Sequence, residues 1–278
     1  MRTNRLLAVT VLSVLGVTGL AACDSGGDGK KDAAPAASAS APASAASATS
    51  SPAAADGGLA ALSAGEILER TRAAGGKLTS VRTTFTMKST DGDVSGSVAA
   101  DSSGNCSGTF TVDGKGKAEI LGVGDKKWLK PDAGFLGLIV PEGNTAVADA
   151  MAGKWLTGEG AGISDSEGFG WFCEMGLEGQ RKVGLLEDGS PDSSAAKAGT
   201  EQVGGAGTVV LKVKDEGSGD PMDAAIATTG EPHLLSVVGS GSDGSGDIRF
   251  GDFDKPVAVT APPAAQVFDM DAMLTAAG

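Results

Sequence analysis

The sequence predicts an α+β fold: one curved antiparallel β-sheet with a few helices covering its concave face. Three observations lead there. Runs of alternating apolar and polar residues recur along the chain, each closed by Gly, Asp or Asn, which is the signature of half-buried antiparallel strands. Only one stretch carries complete helix start and stop signals. Turn signals, Asp91-Gly92-Asp93 and the hairpin signal Asp113-Gly114 among them, separate consecutive strand runs.

The helix begins at Ser63. Ser63 and Glu66 have the spacing of a capping box, and Leu62 and Ile67 stand at the staple positions around it. Ile67, Leu68, Thr71 and Ala74 share a face, and Gly75-Gly76 ends the run. Strands come next. Val81, Thr83, Phe85 and Met87 alternate with Arg82, Thr84, Thr86 and Lys88, and Asp91-Gly92-Asp93 turns the chain. Val94–Ala100, Cys106–Val112, Lys117–Val123 and Lys127–Lys130 continue the series, with Asp113-Gly114 as a hairpin signal.

Asn144 is placed to cap a short helix that turns Val147, Ala150 and Met151 inward and stops at Gly153, before an extended Lys154-Trp155-Leu156. Phe169–Leu177 is apolar but broken by Gly170 and Gly176, which weakens it as a helix. Thr208–Val213, Ala224–Thr228, His233–Val238 and Asp247–Phe250 form a C-terminal meander, with the Ser/Gly/Asp run 239–246 read as a turn. Val267-Phe268 is placed to dock the tail.

The N-terminus sets the compartment. Arg2 and Arg5 precede an apolar run from Leu6 to Leu20, and Leu20-Ala21-Ala22-Cys23 resembles a bacterial lipobox. On this reading residues 1–22 are a signal peptide, and Cys23 becomes the first residue and carries lipid on its sulfur and amine. The apolar run is short for a membrane span, which takes ~20 residues. Residues 23–58 form an Ala/Pro/Ser-rich tether, since no face there buries apolar area. Residues 59–278 form a single domain. The expected location is the outer face of the cell membrane.

The formal charge is −13, and losing Arg2 and Arg5 with the signal takes it to −15. So acidic a surface repels nucleic acid and anionic headgroups, so attachment should rest on the acyl anchor. Of three cysteines, the lipobox takes one. Cys106 and Cys173 are left, and read as one disulfide outside the cytoplasm.

Signals for chemistry are few. His233 is the lone histidine and no G-x-S-x-G occurs. Gly104-Asn105-Cys106-Ser107-Gly108 fits a cysteine form of the nucleophile elbow, but that motif needs a helix after it, and Thr109-Phe110-Thr111-Val112 reads as strand. One histidine and two distant cysteines fit no zinc spacing. The Asp/Gly/Ser runs at 215–220 and 242–247 lack the order of calcium loops. No cofactor and no metal are expected, and the protein reads as a non-enzyme.

The layout resembles a known family. The residues that carry the resemblance are the capped helix running into Ser80–Met87, Lys127-Trp128-Leu129-Lys130, Gly153-Lys154-Trp155-Leu156, Ile226–Leu235, Gly251–Val257 and Ala261-Pro262-Pro263-Ala264. Together they are similar to actinobacterial lipoproteins that carry lipid or glycolipid, and so to mycobacterial lipid-transfer lipoproteins and the periplasmic lipoprotein carriers of Gram-negative bacteria. The resemblance implies an antiparallel half-barrel of about eleven strands with helices across its mouth. It implies binding of acyl chains and no catalysis. The expected partners are a membrane, through the anchor, and a lipid or glycolipid ligand, held by a monomer.

A sheet with one apolar face and few helices leaves a cavity unless its own side chains fill it. Phe85, Met87, Phe110, Trp128, Val210, Ile226, Leu235 and Val237 are the candidate lining residues. The alternative is a tethered interaction module with a filled core, which binds an envelope protein or the cell wall.

Overall fold

The computed structural model describes residues 58–277, apart from 91, 141–142, 159–162, 164–167, 216–217 and 242–243. Cys23 and the tether lie outside the described residues. The capped helix is α1 (Ala64–Gly75), and both bonds of its capping box are made. Five strands come after it: β1 (Ser80–Ser89), β2 (Val94–Asp101), β3 (Cys106–Val112), β4 (Gly116–Val123) and β5 (Lys126–Pro131). Then come α2 (Ala133–Ile139), α3 (Thr145–Met151), β6 (Trp155–Thr157) and α4 (Trp171–Lys182). The C-terminal half is β7 (Ala196–Val203), β8 (Ala206–Lys214), β9 (Pro221–Ala227), β10 (Leu234–Gly241), β11 (Gly244–Gly251), β12 (Val267–Asp269) and α5 (Met270–Ala277).

All twelve strands belong to one open sheet in the order β12-β6-β5-β4-β3-β2-β1-β11-β10-β9-β8-β7. Every pairing is antiparallel except β12 on β6. The sheet is therefore a curved α+β half-barrel built from two meanders, β1–β5 and β7–β11, joined at the β1–β11 pair. Helices α1 and α4 lie on its concave side.

The structure adds four elements that the alternation pattern does not show. Strand β7 is exposed along nearly its whole length, so no dry face marks it. Helix α2 is only seven residues long. Strand β12 and α5 are held by the edge at β6. The Gly/Ser run 239–246 is not a turn over its length: β10 continues through Gly241, and β11 starts at Gly244. In α3, Met151 is buried as expected, Val147 is half-buried and Ala150 is exposed.

Helix α4 forms despite Gly176, and the glycine explains where the helix sits. A Cβ on Gly176 would lie 2.3 Å from Thr83 Oγ1. Its absence lets the helix backbone rest directly on β1. Gly75 does the same between the two helices, since its Cβ would meet the Gln180 carbonyl at 2.4 Å. The ~1 kcal/mol that glycine costs a helix is outweighed by the burial that this close approach permits.

Candidate functional site

Transverse rows of facing residues define the concave wall. One row runs Leu211, Ala224, Val237, Ile248, Phe85, Gly96, Phe110, Ala118 across eight paired strands. A neighbouring row nearer the sheet's rim runs Val213, Met222, Gly239, Gly246, Met87.

Over β1–β5 the wall is filled. Phe85 and Phe110 are each 1% exposed and Phe135 is fully buried. Phe172 stacks on both Phe85 and Phe110, at ring distances of 5.1 and 4.5 Å. Phe135 meets Phe110 edge-on at 5.5 Å, and Phe169 stacks on Phe110 at 5.9 Å. Five of the chain's eight phenylalanines thus form one plug. Gly96 makes room for it, because a Cβ there would stand 2.7 Å from Phe110 Cβ and 2.8 Å from Phe85 Cζ.

Over β8–β11 the wall is packed under α1 around Leu211, Ala224 and Ile226, and it is open beside α4 at Met222, Val237 and Ile248. A groove runs along α4 between the helix and the strands. Its inner lobe encloses about 310 Å³ against Met175, Gly179, Val183, Leu234, Val237 and Phe250. Its outer lobe encloses about 390 Å³ and reaches the rim at Gly239, Gly241, Gly244 and Gly246. Trp171, Asp215, Met222, Val237 and Ile248 line both lobes, so the two adjoin. Each is within the 300–1,000 Å³ usual for ligand sites.

The roof of the groove is firmly held. Cys173 of α4 is joined to Cys106 of β3 by a disulfide. Glu174 pairs with Lys127 of β5. Gln180, fully buried, donates from Nε2 to the Leu234 carbonyl at 2.7 Å and accepts from the Leu234 amide at 3.1 Å. It thereby satisfies the backbone where β10 bulges against β9. Arg72 of α1 donates to the Val183 carbonyl just past the end of α4. A helix tied at both ends gives a largely preformed site.

The eight candidate residues fall in different places. Met87 and Val237 line the groove. Phe85 and Phe110 face the concave side but are spent in the plug. Ile226 faces inward and is fully buried in the core beneath α1 and α4. Three others are corrected by parity or register. Trp128 pairs with Leu121, on the opposite face from Ile120 and Leu129, so it is on the convex side although only 7% exposed. Val210 shares the convex face with Ala225, between the inward Val209 and Leu211. Leu235 is the extra residue of the β10 bulge and joins neither core cluster. A bulge shifts the parity of the residues beyond it, which is why Val237 but not Leu235 faces in.

The period-two pattern misses Trp171, Met175, Met222 and Ile248. Met222 sits next to a proline at a strand start, and Trp171 and Met175 are on the helix whose glycines count against it. The nucleophile-elbow reading of Cys106 is set aside, since its sulfur is in the disulfide and its residue lies within β3. No group of three or more His, Cys, Asp or Glu is arranged for a metal among the described residues, and no described helix is long and apolar enough to cross a membrane.

No protein-family model and no curated protein matches the chain. Its fold is similar to several solved structures. LprF from Mycobacterium bovis is 18% identical with a TM-score of 0.45, over 72% of this chain and 97% of that one. The lipoprotein LppX from Mycobacterium tuberculosis is 16% identical with a TM-score of 0.45, over 71% and 98%. A putative outer membrane lipoprotein-sorting protein domain from Vibrio parahaemolyticus is 9% identical with a TM-score of 0.24, over 72% and 94%.

Proposed function

We propose that this protein is a membrane-anchored extracytoplasmic lipoprotein that holds acyl chains in the groove between α4 and β8–β11, without catalysis. The observation that carries this reading is the groove. It is a largely apolar trough of two adjoining lobes under a fixed helix, next to a wall filled by five phenylalanines. Burial of hydrocarbon there yields ~25 cal/mol per Å² removed from water, with no partner chemistry needed. The lipobox at Leu20–Cys23 supports the location, because a carrier tied to a membrane surface works where its ligand is dissolved. Residues 1–22 serve as the signal, 23–58 as the tether and 59–278 as the carrier domain.

Native mass spectrometry of the protein released from its own membranes tests the reading. Bound lipid is expected on the wild type and lost in Gly246→Leu. A Cβ on Gly246 meets nothing within 4 Å, so the added side chain enters the groove without disturbing its neighbours. A protein that carries no lipid, or a Gly246→Leu variant that carries as much as wild type, overturns it in favour of a tethered interaction module.

A further inference from the structure

We infer that lipid passes into the groove over the glycine lip of β10 and β11, and that the acidic rim there selects chains whose head bears no negative charge. This rests on the lipid-binding reading above.

The lip is bare. Gly239 and Gly246 face each other across β10 and β11, and so do Gly241 and Gly244. On the concave side the two strands therefore present backbone where their neighbours present Met222 and Met87. The bare strip continues directly from the outer lobe. At the other end, α4 and the segment Val183–Leu185 wall the inner lobe.

The head of a chain lying in this trough stops at the lip, beside Asp215 and Asp220. The Asp220 carboxylate presses on the lip itself: a Cβ on Gly241 would fall 2.0 Å from its Oδ2, so glycine is what leaves room for it. Ser218 completes this end, Ser240 and Ser245 bring only backbone to it because their side chains take the opposite face, and no Lys or Arg lines the outer lobe among the described residues. Carboxylates and hydroxyls accept hydrogen bonds from a neutral hydroxyl-bearing head, and the carboxylates repel a carboxylate or phosphate.

The two ammonium groups of the groove do not offset this, because they stand at the inner lobe and already face carboxylates. Lys182 pairs with Glu178 at 3.3 Å, and the positive charge of Lys214 acts on the buried Asp192, whose carboxyl, pushed up by burial, it helps to hold below the usual range.

The test uses the full chain carrying Cys23→Ser, which leaves every described residue unchanged. Acyl chains brominated along their length quench tryptophan, and Trp171 lines both lobes. Brominated 1-palmitoylglycerol and brominated palmitate are titrated at pH 7.5. The glycerol ester is expected to bind about tenfold more tightly, the effect of two partly exposed like charges on the acid. In Asp220→Asn that ratio should fall at least threefold. Palmitate binding as tightly as its glycerol ester, or an unchanged ratio in Asp220→Asn, overturns the selectivity while leaving the groove reading intact. If neither probe binds, or if Gly246→Leu binds both as wild type does, the groove reading itself fails.

Discussion

Gln180 shows how much can hang on one side chain. Its amide is cut off from water and both its ends are used by the backbone of Leu234. Gln180→Leu leaves a buried amide and a buried carbonyl without partners, which costs about 2–3 kcal/mol. Chemical denaturation should show that loss. His233, the residue before Leu234, is the other sensitive position. Its ring lies 4.5 Å from that of Phe253, and its buried Nδ1 has no hydrogen-bond partner among the described residues. Burial lowers its pKa from 6.5, and the nearby Glu231 and Asp254 carboxylates only partly offset this. The folded protein therefore binds the proton less readily than the unfolded chain. Stability is full above pH 6.5 and declines as the pH falls toward the folded-state pKa. The midpoint of thermal unfolding should drop between pH 7.5 and 5.5, and His233→Gln should lose most of that dependence.

Among the elements, α4 is the one that the others position. The disulfide closes a separation of 67 residues, so removing it with Cys106→Ala/Cys173→Ala should cost about 4 kcal/mol in the loop-entropy model. Urea unfolding of the double variant against wild type measures it. The cap of α1 is worth less, and Ser63→Ala should cost about 1 kcal/mol in the same assay. Most elements are legible in sequence because each pattern reports one physical fact. Alternation over 81–88 reports a half-buried strand, and Ser63 with Glu66 reports a helix start. The illegible elements have no such local cause. Strand β7 carries no apolar face, and its place is set only by pairing with β8. Helix α4 is weakened on paper by glycines whose purpose shows only when β1 and α1 are brought against them. The lining residues suffer most, since a one-residue bulge at Leu235 and the parity of β5 and β8 are set by pairing partners. Nothing within 127–130 or 208–213 says which face is concave.

For the whole molecule, acidic charge and lipid on Cys23 have separate tasks on the proposed reading. Cys23→Ala should move the protein from the membrane fraction to the soluble fraction while its far-UV circular dichroism stays that of wild type. Without residues 1–22 the chain carries −15 and has no electrostatic means to remain behind. The closed inner end of the groove has a metrical consequence. On the proposed reading α4 and Val183–Leu185 stop an acyl chain there, so the trough works as a ruler for carbon number. An engineered cavity of ~150 Å³ accommodates benzene's six carbons, so lobes of about 310 and 390 Å³ together take on the order of 30. Along a homologous series of alkyl esters, each added methylene should tighten association by ~0.8 kcal/mol until that count is reached. Beyond it the increments should vanish, and Val183→Ala should move the break to longer homologues.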